Sequence, residues 1–414
     1  MITIKGRIVK ENTIEEGCLT FENGTIVDAG SSACVNMGIN TSAGVNVDEI
    51  GTSAGVLVGA CVGDDGYADM SDFYIVPGFI DLHTHGVHRY LADNGIDDLA
   101  QICGILPRYG VTGFLPTLAP RPQGADALFL KELADANTDG ANILGFHLEG
   151  PFLKITGALP AEAISAADAG RVESLIQAAL PYKAIFSISP DVEGIEKLIP
   201  LMAANNTPVF ITHTAATVQQ TQKAIELGAR HATHFYDVFP CPPVSEPGVR
   251  PCGAVESVLA DSRVSVDFIL DGVHVDPIAV KTALACKSNG TGRVCLITDS
   301  NVGAGLEPGR FTFGNSGEIY FTSKGAPARL VKDNTLAGSG LTMDQALRNA
   351  MNLLGLDLPE AVQLVSTNPA AIIGVDNRKG KLKAGYDADF VVLNKQFDVV
   401  QTWVGGKCFY NINK

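Results

Sequence analysis

Positive charge is scarce in this chain. It has 30 lysines and arginines against 45 aspartates and glutamates, a formal net charge of −15. No basic run occurs. A surface for a nucleic-acid backbone needs clustered cations, so that class of partner is excluded; one or two cations in a pocket would still serve a small charged substrate. Nine cysteines are present, an odd number, and no two are spaced as CxxC. Neither a secreted disulfide framework nor a zinc ribbon fits, and buried thiols in a reducing cytoplasm are the expectation. No stretch reaches the ~18 uninterrupted apolar residues of a membrane helix. The start, MITIKGRIVKENTIEEG, lacks the apolar core of a signal peptide. Tryptophan occurs once and aromatics make up 7%, yet 46% of the residues are hydrophobic. That is ample for a large core and excludes a disordered chain. A soluble, cytoplasmic protein without membrane or nucleic-acid partners is expected.

The 414 residues fall into three kinds of text. Residues 2–30 alternate as short strands, with Asn23-Gly24 as a hairpin signal between two runs. Residues 31–70 are rich in Gly, Ser and Ala and are read as an insertion of undefined form. From residue 75, eight apolar runs alternate with amphipathic stretches. The runs are IVPGFIDL (75–82), GFLPT (113–117), ILGFHLEG (143–150), AIFSISP (184–190), PVFITHT (208–214), HATHFY (231–236), VSVDFILDG (264–272) and RVCLITDS (293–300). Strands that are apolar throughout are buried on both faces, as in a parallel sheet. Eight strand–helix repeats predict a (β/α)8 TIM-type barrel over 75–379. The tail, 380–414, returns to strand character. It is expected to join residues 1–74 in one small β-sandwich domain, giving an α/β protein overall.

All eight histidines lie between 83 and 274. Five of them (83, 85, 213, 234 and 274) fall at or just past the end of an expected strand, the face that carries the site in such barrels. In Asp81-Leu82-His83-Thr84-His85 the two imidazoles are two residues apart and point the same way. They can reach one metal ion or simply hydrogen-bond to each other. Glu149 ends the third strand, His213 the fifth, His234 the sixth and Asp299 the eighth. Imidazole and carboxylate donors suit a divalent cation such as zinc or iron. Ligand-type residues on several independent strand ends favour a metal-dependent hydrolase over a non-catalytic binding barrel. His88 reads as a loop residue, His147 as a partner behind Glu149 or a substrate contact, and His231 as surface or core.

The chain resembles the amidohydrolase superfamily, and within it the N-acetylglucosamine-6-phosphate deacetylase branch. The resemblance rests on VPGFIDLHTHG (76–86), FHLEGPF (146–152), ITHTAAT (211–217), ATHFYD (232–237), EPG (246–248), LDGVHVDP (270–277), LITDS (296–300), TLAGSGLTMDQALRN (335–349) and GKLKAGYDADFVVL (380–393). It implies Glu149, His213 and His234 as core metal ligands. His83 and His85 then imply a second ion bridged by Glu149, with Asp299 as ligand and as general base and acid. His274 would orient or polarise the acyl carbonyl, and Asp271 would be a substrate-binding residue. Leu336, Ala337 and Gly338 would lie near the substrate; alternatively TLAGSGLTM starts a helix with Ser339 or Thr342 as N-cap. One or two divalent ions, a small-molecule substrate and a homodimer are the implied partners.

Three departures from the branch concern its substrate contacts, the first two its phosphate contacts. Asp237-Val238 stand where the branch has Asn-Ala, Ser245 where it has arginine, and Ala158-Leu159 where Ala-His is usual. Arg250, five residues after Ser245, is a candidate substitute. The expected activity is deacetylation of an N-acetylated amino sugar, phosphorylated or not. A different N-acyl or cyclic amide is the alternative.

Overall fold

The structure is a computed structural model that describes residues 1–31, 63, 66–204, 207–244, 246–290 and 292–413. The greater part of the insertion expected over 31–70, and Ser245, lie outside the described residues.

Strands β1 (Ile2–Val9), β2 (Ile14–Glu22) and β3 (Thr25–Gly30) form an antiparallel meander. Asn23 and Gly24 turn between β2 and β3 with φ of 50° and 80°, as a tight two-residue hairpin requires. Strand β4 (Tyr67–Pro77) joins parallel to β1. Gly78 then breaks the chain, and β5 (Phe79–Thr84) opens a second sheet. The run 75–82 is therefore not one barrel strand but parts of two strands in different sheets.

The second sheet continues through β6 (Val111–Leu118), β7 (Phe146–Glu149), β8 (Ala184–Ile188), β9 (Val209–Ile211), β10 (Ala229–Ala232), β11 (Ser265–Ile269) and β12 (Val294–Ile297). Each strand pairs parallel with the next. A parallel bridge from Thr84 to Ser300 links the first to the chain just beyond the last. This is the expected eight-stranded barrel. Helices cover it because their apolar residues recur every three or four positions. Helix Ile96–Ile105 buries Leu99, Ile102 and Cys103. Helix Val218–Leu227 buries Thr221, Ala224 and Ile225 behind a Thr217/Gln220 capping box. Phe79, Phe114, Phe146, Phe186, Phe210 and Phe268 are fully buried, each stabilising by about 1.5–3 kcal/mol.

A further antiparallel sheet interrupts the repeat after β12: β13 (Arg310–Phe313), β14 (Gly317–Tyr320), β15 (Pro327–Leu330) and β16 (Leu336–Ser339). It packs on its own cluster of Leu91, Val302, Phe313, Ile319 and Phe321. TLAGSGLTM is accordingly strand first and helix later. Thr342 occupies the N-cap of helix Met343–Asn349 without a side-chain capping bond, while the Ser339 hydroxyl donates to the Thr298 carbonyl at 2.5 Å.

The chain end supplies β17 (Phe390–Leu393), β18 (Val399–Val404) and β19 (Lys407–Asn411). β17 pairs antiparallel with β4. Both chain ends thus build one seven-stranded sheet separate from the barrel. The lone tryptophan, Trp403, stacks on Phe390 at 5.4 Å in its core. Among the cysteines, Cys103 and Cys295 are buried thiols, but Cys241, Cys252 and Cys286 are exposed. The expectation of uniformly buried thiols fails there. No helix among the described residues is long and apolar enough to cross a membrane.

Candidate metal centre and active site

The site forms where the barrel strands end. His83 lies within β5 and His85 one residue past it; Glu149 is the last residue of β7. His213, His234 and Asp299 each stand two residues past β9, β10 and β12. All three have left-handed backbones, with φ of 50°, 34° and 46°. Such a bend is uncommon outside glycine and collects at functional sites.

Glu149 sits at the centre. Its Oε1 lies 3.3 Å from His213 Nε2 and 3.0 Å from His234 Nε2. Its Oε2 lies 3.5 Å from His83 Nε2 and 3.2 Å from His85 Nε2. Asp299 Oδ1 approaches the same two imidazoles at 3.3 and 3.4 Å. Two overlapping sets, His83–Glu149–His234 and His83–His85–Asp299, each bring one ligand atom per residue within 4.8 Å of one another. All of these side chains are buried.

Their outer contacts decide whether an ion fits. His213 donates Nδ1–H to the Ile155 carbonyl at 2.8 Å. His234 donates Nδ1–H to the Asp237 carbonyl at 3.3 Å. The Thr233 hydroxyl donates to Asp267, so its oxygen accepts from His83 Nδ1 at 3.2 Å. These three imidazoles therefore turn a bare Nε2 lone pair towards the carboxylates, as ligating histidines do, while the buried His85 Nδ1 has no hydrogen-bond partner. The buried Asp299 Oδ1 has the His83 and His85 imidazoles as its neighbours. The donor set fits a divalent cation. Without one, burial disfavours the charged form of His85, but hydrogen bonds and charge from Asp299 and Glu149 overcome it and raise that imidazole to about 10. His234 is raised to about 10 against the same burial, chiefly by Glu149. Burial also opposes ionisation of Glu149 and Asp299, yet the surrounding histidines hold both carboxyls below their usual range.

The carboxylates behind the ligands, Asp267 and Asp81, were not foreseen as such. Asp267, within β11, is fully buried and accepts from His231 Nε2 at 2.7 Å, from the Thr233 hydroxyl and from the His234 amide at 2.5 Å. The signal was present: a carboxylate inside an apolar strand must be paired. Asp81 similarly accepts from the His83 amide at 3.2 Å and the Thr298 hydroxyl at 2.5 Å; burial pushes its carboxyl up to about 6. His231 is core, and His147 packs edge-on against His83 with its own Nε2 on Ser187. His147 is thus no substrate contact. His88 pairs with the Tyr109 hydroxyl at 2.7 Å.

A cavity of about 260 Å³ opens above the centre, lined among others by His85, Glu149, His213, His234 and Asp299. Of the expected substrate contacts, Ala158, Asp237, Val238, Leu336, Ala337 and Gly338 line it. Asn301, Phe313 and Thr335 line it too and were missed. Gly338 (φ 68°) is close against the site: a Cβ there would lie 2.6 Å from the Asp299 carbonyl. His274 and Asp271 stand outside this lining. His274 Nδ1 is bound to Asp271 at 2.7 Å, and its buried Nε2 has no partner. Burial lowers the His274 imidazole, but Asp271 outweighs it and the net shift is upward. Arg250 is not brought to the cavity. Its side chain is 76% exposed and pairs with Glu256 at 3.1 Å, because a flexible arginine on an outer loop takes the nearest carboxylate.

A parallel barrel with imidazoles and carboxylates gathered at its strand ends defines a hydrolytic enzyme of the metal-dependent kind. The chain belongs to the amidohydrolase family, whose pattern it matches over residues 74–408. It is 32% identical to N-acetylgalactosamine-6-phosphate deacetylase of Escherichia coli O157:H7 over 340 residues, 80% of this chain and 87% of that protein. It is 31% identical to N-acetylglucosamine-6-phosphate deacetylase of Bacillus subtilis (strain 168) over 341 residues, 80% and 83% of the two. Its fold matches N-acetyl-D-glucosamine-6-phosphate deacetylase from Mycobacterium smegmatis, solved in complex with N-acetyl-D-glucosamine-6-phosphate. The TM-score is 0.82 at 25% identity, over 99% of each chain.

Proposed function

We propose that this enzyme is a deacetylase, removing the acetyl group from the nitrogen of an amino sugar. One observation carries the reading: Glu149 divides its two oxygens between two histidine pairs beside Asp299, at the floor of a cavity sized for a small molecule. His83, His85, Glu149, His213, His234 and Asp299 are the residues that would hold one or two divalent ions, and zinc or iron suits this donor set best. Such a cation supplies Lewis-acid polarisation of the amide carbonyl and acidification of water. The chain supplies the rest. Asp299 takes a proton from the attacking water and returns it to the departing amine, so that amide and water become acetate and free amine. His274, held by Asp271, offers Nε2–H to the acyl oxygen as it gains charge. Leu336–Gly338 and Ala158 wall the sugar. A cytoplasmic homodimer completes the reading.

The test is acetate release from N-acetylglucosamine, N-acetylgalactosamine and their 6-phosphates, with metal content measured on the same sample. Activity that disappears on chelation and returns with zinc or ferrous iron is expected. Release from none of the four by metal-replete protein would reject the reading.

A further inference from the structure

The curated relatives above are named for 6-phosphate substrates, and a phosphate monoester carries about −1.5 to −2 charges at neutral pH. Sites for such groups rely on charge-assisted donors, usually arginine or lysine. Among the described residues, no lysine or arginine lines the cavity, whereas Glu149, Asp237 and Asp299 all do. Arg250 faces outward to Glu256. The His274 imidazole, outside this lining, is bound through Nδ1 to the Asp271 carboxylate. Asp237 is half-buried at the wall, adjoining Val238, and its backbone carbonyl already holds His234 in place. Its backbone is thus anchored beside the cavity, and its side chain is one of the three acidic ones that line it.

We infer, building on the deacetylase reading, that the substrate is an N-acetyl amino sugar without a phosphate. Asp237 is its specificity-determining residue, accepting hydrogen bonds from sugar hydroxyls where a phosphate would be repelled. A carboxylate accepts strongly from hydroxyl donors, while a like charge opposite it is penalised. A cavity of about 260 Å³ also lies at the small end of ligand sites, suited to one sugar ring.

The experiment uses the full chain, metal-replete. It compares kcat/KM for N-acetylglucosamine and its 6-phosphate, and separately the thermal stabilisation each gives. The expected result is a preference of at least roughly tenfold for the unphosphorylated sugar. Asp237→Asn should shrink that ratio by raising turnover of the phosphate ester. A wild-type preference for the ester overturns the inference; loss of that preference in Arg250→Ala would assign the phosphate handle to Arg250 instead. If neither sugar is hydrolysed, the deacetylase reading fails only when N-acetylgalactosamine and its 6-phosphate are also left intact, and stabilisation decides the charge argument by itself. Stronger stabilisation by the unphosphorylated sugar sustains it. Stronger or equal stabilisation by the ester, or none by either, overturns it.

Discussion

Replacing Asp267 with alanine tests whether the centre is held from behind. The carboxylate is fully buried and receives His231 Nε2, the Thr233 hydroxyl and the His234 amide. Removing one partner of such a buried set leaves the others unpaired and costs about 3–5 kcal/mol. For a chain of this length the unfolding entropy is roughly 0.9 kcal/mol per degree, so Tm falls by roughly 3–6 °C. The second effect is chemical. Once Asp267 is gone, the Thr233 hydroxyl no longer has a fixed acceptor, and it is free to donate to His83 Nδ1. That would put the proton of His83 on Nε2, the atom facing Glu149 and Asp299. A loss of metal affinity of about 10–100-fold follows. Asp267→Asn should be milder, since its amide oxygen still accepts from the His234 amide and His231 can exchange tautomers. Differential scanning fluorimetry of metal-free protein and metal competition against a chelating dye separate the two effects. A metal-free Asp267→Ala protein with wild-type Tm, together with unchanged metal affinity, would refute the reasoning.

Three further outcomes are expected. Asp299→Asn should lower kcat by about 10²–10⁴ with the fold intact; wild-type turnover would remove Asp299 from the reaction. Gly338→Ala forces a side chain into a left-handed backbone beside Asp299. It should cost about 1–2 kcal/mol of stability and at least roughly tenfold in kcat/KM, and a fully active variant would contradict the close packing of β16 on the site. Asp271→Asn removes the group that raises the His274 imidazole against its burial. The imidazole then loses its proton at lower pH, so the alkaline limb of kcat/KM should move to lower pH; a pH–rate profile in which that limb stays put would rule out the pairing as a determinant.

Legibility in the sequence followed the physics of burial. Strands buried on both faces read as continuous apolar runs, so the eight barrel strands were visible. The same property merged β4 with β5, because Val76-Pro77-Gly78-Phe79 offers no polar break although the two strands belong to different sheets. That His83, His85, Glu149, His213, His234 and Asp299 come together was legible because each combines a ligand-type side chain with a strand end. The sheet β13–β16 was not legible. Its four-residue strands are too short for a periodicity to register, and glycines intervene. The place of Arg250 was not legible, because nearness in sequence says nothing of where a long side chain on an exposed loop finds its counter-charge.

The left-handed residues show how the barrel aims its chemistry. A strand sends alternate side chains inward and outward. His85, one residue past β5, reaches the centre without a left-handed backbone, whereas His213, His234 and Asp299, two residues past their strands, are turned over the mouth by a sharp bend. Each such bend in a residue other than glycine costs of order 1–3 kcal/mol and persists only where its surroundings fix it. They do so here through hydrogen bonds to the backbone of each bent residue. The Asp299 amide donates to the His83 carbonyl at 2.9 Å, and its carbonyl accepts from the Ser339 amide at 2.8 Å. The His213 carbonyl accepts from the Ile155 amide and from the Ser189 hydroxyl. The His234 amide is held by Asp267. The clamps come from β5, β11, β16 and the segments following β7 and β8, not from the strands that carry the bent residues. The geometry of the centre is therefore a property of the closed barrel and its added sheet together, and it is not set by any one strand–loop unit alone.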